Sequence, residues 1–221
     1  MGTTVTLTAD DGHRLSAYRA EPKGTAKADL VVIQEIFGVN SLVRQVADGF
    51  AALGYAALAP AIFDRAERGV EIGYGEADIA RGREIRAKIG WDGPLLDIAA
   101  AAKALGGAGK VGCVGYCWGG SLAWLAACRL DFACAVGYYG GQIVGFKDEK
   151  PRGPAMLVFG DQDASIPLTD VEAIRKAQPK LPIHVFPGGH GFNCDHRGSY
   201  HQDSAAKALA TTLAFFKQHL G

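Results

Sequence analysis

The feature that most restricts the fold is an apolar run that turns into a helix through closely spaced glycines, Lys110-Val-Gly-Cys-Val-Gly-Tyr-Cys-Trp-Gly-Gly-Ser121. The residues up to Gly115 read as a strand and those after Cys117 as the start of a helix. The spacing Gly115-x-Cys117-x-Gly119 has a steric meaning. A residue held in a strained strand-to-helix turn needs flanking positions without side chains, because a Cβ there would collide with neighbouring backbone. Cys117 is thereby expected to stand above the sheet as a nucleophile. The positive end of the following helix would lie close to its sulfur and strengthen it. The competing reading is a buried thiol in a glycine-rich turn.

The rest of the chain supplies such a sheet. Thr3 to Tyr18 alternates around Asp11-Gly12, the pattern of a β-hairpin. Asp29-Leu-Val-Val-Ile-Gln34 reads as a strand buried on both faces. Leu42, Val43, Val46, Phe50 and Leu53 recur at helical spacing from Ser41, and Gly54 suits the left-handed end. Further strands are expected at Tyr55 to Leu58, Lys110 to Gly115, Ala133 to Tyr138, Ala155 to Phe159 and Ile183 to Phe186. In the closing helix Ala206, Leu209, Leu213, Phe216 and Leu220 repeat at steps of three and four, with Asp203 or Ser204 as cap. Strands alternating with helices indicate an α/β fold, a mainly parallel sheet behind an N-terminal antiparallel hairpin with helices on both faces. Asp64 to Pro94 breaks the pattern. It holds six glycines and the cluster Arg81, Arg83 and Arg86, and reads either as an excursion near the site or as a helix with a solvated basic face.

Composition narrows the function. The 221 residues fit one domain spanning 1–221. Lys plus Arg and Asp plus Glu are equal at 23 each, so no global field draws in nucleic acid or an anionic membrane surface. No segment reads as a membrane span or a leader, and a cytoplasmic monomer is the default expectation. Five cysteines without a CxxC pair fit neither a disulfide framework nor a zinc site. No dinucleotide or phosphate-binding glycine loop is present, so no cofactor or metal is implied and the expected partner is a small-molecule substrate.

A hydrolase built on such an elbow carries an acid and then a base after the nucleophile. The strand ending at Phe159 runs into Gly160-Asp-Gln-Asp163-Ala-Ser-Ile-Pro167, where Asp163 is the chosen acid and Asp161 the competitor, since either could instead order the loop or cap the helix near Thr169. The last strand leads to Pro187-Gly-Gly-His190-Gly-Phe192, and His190, between glycines in a loop able to reach the elbow, is the base. His196 is the alternative among the six histidines.

With GYCWGG, GDQDASIP, GGHGF and Gln34-Glu-Ile-Phe-Gly-Val-Asn40 assembled, nearly the whole chain resembles the dienelactone hydrolase (carboxymethylenebutenolidase) family of the α/β-hydrolase superfamily. The resemblance implies hydrolysis of a small lactone or ester, with a broader carboxylesterase or thioesterase as alternative. It implies that Glu35 sits beside the resting cysteine and takes its proton on substrate binding, and that the backbone N–H groups of Ile36 and Trp118 form the oxyanion hole. It also implies a pocket lined by Phe37, Trp118, Tyr138, Tyr139 and Tyr200. An arginine that holds the substrate carboxylate in the family lies four residues after the histidine, where this chain has Cys194; Arg197 or one of Arg81, Arg83 and Arg86 is expected to supply the charge. From another class, Cys117 could serve a redox-responsive or ligand-binding protein without turnover.

Overall fold

The computed structural model describes residues 2–106 and 111–221; Lys110, where the sequence pattern begins the central strand, lies outside the described residues. The N-terminal hairpin comprises β1 (Thr3–Thr8) and β2 (Arg14–Ala20), joined through Gly12 at φ +82°. β3 (Asp29–Ile33), β4 (Ala56–Pro60), β5 (Val111–Tyr116), β6 (Cys134–Tyr138), β7 (Ala155–Gly160) and β8 (Ile183–Phe186) complete one eight-stranded sheet in the order β1-β2-β4-β3-β5-β6-β7-β8. β1–β2 and β2–β4 pair antiparallel and every other neighbour pair is parallel. This matches the expected architecture, and the short apolar runs are buried because helices cover both faces.

Among the described residues there are six α-helices: α1 (Ser41–Ala52), α2 (Glu76–Ile89), α3 (Asp92–Leu105), α4 (Trp118–Arg129), α5 (Leu168–Ala177) and α6 (Gln202–Leu220). α1 starts at Asn40, whose side chain accepts from the Val43 N–H, and gives way to Gly54 at φ +98°. None of the described helices is long and apolar enough to cross a membrane.

Two elements differ from the sequence pattern. α6 keeps Phe216 of the expected face buried and Leu213 and Leu220 against the core, but it is rotated so that Ser204, Ala208, Thr212 and Phe215 are buried while Ala206 and Leu209 are exposed. Polar anchors explain the rotation: Ser204 Oγ donates to the Pro187 carbonyl, and the hydroxyls of Thr212 and Tyr138 share a hydrogen bond of 2.7 Å. Its cap is His201, which accepts from the Ser204 N–H, rather than Asp203 or Ser204. The glycine-rich stretch from Asp64 is both an excursion and a helix. Arg81 and Arg83 of α2 face solvent, while Gly82 packs on the opposite side so closely that a Cβ would lie 2.0 Å from the Ile36 carbonyl oxygen.

The position of α4 depends on absent side chains. A Cβ on Gly115 would meet the Gly119 carbonyl oxygen at 1.9 Å, and one on Gly119 would meet the Gln34 and Ile33 carbonyl oxygens at 2.4 and 2.5 Å. The start of α4 therefore rests directly on the end of β3. Gly49, on α1, has nothing within 4 Å of its Cβ position. Urea denaturation is expected to find Gly119→Ala destabilised by about 1–3 kcal/mol through overpacking. Gly49→Ala should gain about 0.5–1 kcal/mol through helix propensity.

Candidate active site

Cys117 joins β5 to α4 with φ 56° and ψ −120°, a conformation that costs a non-glycine residue energy and is maintained by its surroundings. Its N–H donates to the Tyr138 carbonyl at 3.0 Å and its carbonyl accepts from the Gly120 N–H at 2.9 Å. These bonds hold the turn while its side chain stays partly exposed. The other four cysteines are buried.

The loop after β8 brings His190 to the sulfur. Gly188 at φ +138° and Gly191 at φ +76° shape that loop, and Ser199 Oγ donates to the His190 carbonyl at 2.7 Å. His190 Nε2 lies 3.1 Å from Cys117 Sγ, and Nδ1 lies 2.8 Å from Asp163 Oδ2. Asp163 Oδ1 accepts from the Ser165 N–H at 2.8 Å, so both carboxylate oxygens are engaged. Asp161 instead accepts from the Gly188 N–H and orders the loop beneath the histidine. Burial disfavours the imidazolium, but the hydrogen bonds with Asp163 and Cys117 outweigh it and lift His190 from 6.5 to about 10.

The segments that carry Cys117 and Glu35 each offer a backbone N–H group. Trp118 opens α4, where N–H groups have no intrahelical acceptor. The Ile36 N–H has no acceptor among the described residues. Its direction is set by the buried Gln34: Oε1 accepts from the Ile62 N–H, and Nε2 donates to the Glu35 carbonyl at 3.1 Å. In a trans peptide the N–H points opposite to the C=O, so anchoring the Glu35 carbonyl turns the Ile36 N–H the other way.

Glu35 is 1% exposed. Burial pushes its pKa above the usual carboxylate range, against the opposing effects of Arg197, His190, the Tyr74 hydroxyl and His196. Here the structure differs from the arrangement the family resemblance implies. Sγ pairs with His190, whereas Glu35 accepts from the Tyr74 hydroxyl at 3.2 Å and lies 3.8 Å from Arg197 Nη1. The hydroxyl and the guanidinium together retain the carboxylate. Arg197 lies over the rings of Phe37 and Tyr74, 5.7 and 5.5 Å from their centroids.

The other expected site residues divide between this cluster and other parts of the molecule. Arg81 is half exposed and paired with Glu67, so its charge is already engaged at the surface. Tyr138 and Tyr200 line a groove of about 390 Å³ between α1 and α6, where the Tyr138 hydroxyl is held by Thr212. The adjacent Tyr139, at φ 36°, faces the site, with its ring 5.3 Å from that of His190. Trp118 is buried against Phe63 and Trp91, at centroid distances of 5.6 and 6.4 Å. His196 lies 3.8 Å from Asp195, away from the sulfur's hydrogen bond. Sequence reasoning missed Tyr74, although Gly73-Tyr74-Gly75 isolates it between glycines as Gly189 and Gly191 isolate His190. Among the described residues no cluster of three or more His, Cys, Asp or Glu side chains is arranged to hold a metal.

The family model described as "Dienelactone hydrolase family" matches residues 15–220. A Synechocystis protein provisionally named carboxymethylenebutenolidase is 33% identical, covering 99% of this chain and 97% of its own. The carboxymethylenebutenolidase of Pseudomonas putida is 31% identical over 96% of this chain and 94% of its own. A crystal structure from Klebsiella pneumoniae, provisionally named a dienelactone hydrolase, superposes with a TM-score of 0.83 at 28% identity, covering 98% and 99% of the two chains. An esterase of Pyrococcus furiosus, at 15% identity and a TM-score of 0.73 over 100% of this chain and 93% of its own, shares the fold.

The geometry sets two expectations. Iodoacetamide on the native protein should add one label, located by mass spectrometry at Cys117, because the other thiols are buried. His190 has a folded pKa above its unfolded one, so its charged form stabilises fully below pH 6.5, and that contribution is lost as pH rises through about 10. The stability gap between wild type and His190→Gln, measured in urea, should therefore narrow from pH of roughly 6 to roughly 10.5. A gap that stays constant would mean that the folded protein holds this imidazole neutral.

Proposed function

This chain belongs to the dienelactone hydrolase family and is a hydrolase of its ester- and lactone-cleaving type, and on that premise we propose that Cys117, His190 and Asp163 form its catalytic triad. The observation that carries the reading is the continuous contact from Sγ to Nε2 at 3.1 Å and from Nδ1 to Asp163 at 2.8 Å. The sulfur attacks the carbonyl carbon and its proton passes to a base in the pocket. His190 is the base in contact with it, and its raised pKa favours the thiolate–imidazolium pair that results, so the sulfur attacks as a thiolate. Family resemblance adds Glu35 as an acceptor once a bound acyl group displaces the carboxylate, and burial makes that carboxylate a stronger base than one in water.

The carbonyl oxygen becomes an oxyanion held by the N–H groups of Ile36 and Trp118, donors that typically lower such a barrier by about 3–4 kcal/mol each. In the collapse His190 gives the proton it took from the sulfur to the departing oxygen, which opens the lactone or releases the alcohol and leaves a thioester on Cys117 with the imidazole neutral again. His190 then takes a proton from water, whose oxygen attacks the thioester and regenerates the thiol. Asp163 holds the imidazole's tautomer and direction throughout.

The substrate is a small lactone or ester, with dienelactone the nearest named candidate. Cys194 occupies the position of a substrate-binding arginine in the family, and Arg197, three residues on, brings a guanidinium to the same pocket. Its charge is opposed by Glu35 in the free protein, which favours uncharged esters unless substrate separates the pair.

Steady-state hydrolysis of a dienelactone and of p-nitrophenyl acetate tests both levels. Cys117→Ala and His190→Ala should each lower kcat by about 10³-fold or more on any substrate, with Asp163→Asn less damaging. An active Cys117→Ala protein overturns the nucleophile assignment. If Arg197 anchors a carboxylate, Arg197→Gln should lower kcat/KM for the dienelactone by about 10-fold or more and leave p-nitrophenyl acetate within about 2-fold.

A further inference from the structure

Tyr74 lies outside every strand and helix, between Gly73 and Gly75, yet its position is closely specified. Its segment is fastened to the loop that follows β3. Gly38 and Glu71 form an isolated β-bridge, the Ile72 N–H donates to the Phe37 carbonyl at 3.1 Å, and Asn40 Nδ2 donates to the Ile72 carbonyl at 3.2 Å. The Tyr74 ring packs on Phe37 at 4.5 Å between centroids, with the Arg197 guanidinium against both rings.

The direction of its hydrogen bond follows from a helix cap. Asn40 Oδ1 accepts from the Val43 N–H at the start of α1, which fixes the orientation of the amide and leaves Nδ2 facing Tyr74 at 3.3 Å. An amide NH₂ can only donate. The Tyr74 oxygen is therefore the acceptor in that bond, and its own hydrogen is directed to Glu35 Oε2 at 3.2 Å. Burial and the nearby Glu35 charge both raise the phenol's pKa, so the donor remains protonated. A donor fixed in this sense stabilises the ionised carboxylate over the protonated one.

We propose that Tyr74 is a positioning residue for Glu35: its hydroxyl, oriented from behind by Asn40, holds the carboxylate against Arg197 and sets how readily that carboxylate takes up a proton. The other groups around Glu35 do not duplicate this function. Arg197, His190 and His196, from the segment after β8, act on it through their charge, and Arg197 Nη1 at 3.8 Å is beyond hydrogen-bond distance. Tyr116 at the end of β5, Tyr139 after β6 and the thiol of Cys194 feel the Glu35 charge as protonated groups, each with its own pKa raised first by burial. Among the described residues Tyr74 is the only hydrogen-bond donor to the carboxylate, and Glu35 Oε1 has none. The functional consequence rests on the proposed role of Glu35 as a proton acceptor, whereas the positioning itself does not.

The test is a carbon-13 carboxyl NMR titration of protein labelled at glutamate, with Glu35→Gln identifying the Glu35 signal. Tyr74→Phe keeps the ring packing and removes only the hydroxyl, and should move the Glu35 midpoint up by about one to two pH units. Asn40→Ser, which can still cap α1, should move it in the same direction by less. Midpoints equal to wild type in both variants overturn the proposal. In kcat/KM for p-nitrophenyl acetate, the acidic limb should move to higher pH in Tyr74→Phe, with no added shift when Tyr74→Phe is combined with Glu35→Gln. A moved NMR midpoint with an acidic limb that ignores Glu35→Gln would retain the positioning and remove Glu35 from the proton path.

Discussion

Everything in the site follows from the contact between the first turn of α4 and the last carbonyls of β3. Gly119 lies where any side chain would overlap Ile33 and Gln34, and this approach sets the two halves of the site at a fixed separation. One half is the turn carrying Cys117, and the other is the peptide between Glu35 and Ile36. Because the sheet orders β3 beside β5, both halves emerge at the same end of neighbouring parallel strands, where open α/β sheets build their sites. The strain at Cys117 is thus sustained by the sheet's hydrogen bonds rather than by any contact of its own side chain.

Upon that frame two carboxylates are used in opposite ways. Asp163 is supplied with a donor at each oxygen, and its charge is directed along a single line to His190. Glu35, equally hidden from water, receives one hydroxyl donor and a guanidinium at longer range. The first arrangement confines a charge to one function. The second leaves it weakly held, as the proposed exchange of partners requires, and places its restraint on a segment remote in sequence from both the elbow and the histidine loop.

Most of the frame, and the three residues that meet at Cys117, were legible in the sequence because both are written in local chemistry. Glycines flanking Cys117 and His190 announce tight turns, apolar runs mark strands, and Asp163 follows a strand end. The distinction between Asp161 and Asp163 was less legible, since both suit the same loop until the position of Gly188 is known. The face of α6 was misread because aliphatic periodicity gives no weight to Ser204 and Thr212, whose hydroxyls let the helix lie close to the sheet. Tyr138 and Tyr139 show the same limit: Tyr138 ends β6 and Tyr139 turns out of it at φ 36°, a backbone change that the residue pattern does not announce. Tyr74 was invisible for another reason. Its partners lie 34 and 39 positions back along the chain, and only the folded excursion brings them together.

Gly82 gives this architecture a route to diversification. Its helix rests on the carbonyl of Ile36, the residue whose N–H is the proposed oxyanion donor, while Arg81 and Arg83 on either side of it face solvent. Changes in this helix can tilt the donor loop without replacing any reacting group, and the outward face stays free to vary for unrelated reasons. A change of volume at this one contact would therefore reach the peptide after Glu35 from a helix that contributes no hydrogen bond to the Cys117, His190 and Asp163 cluster.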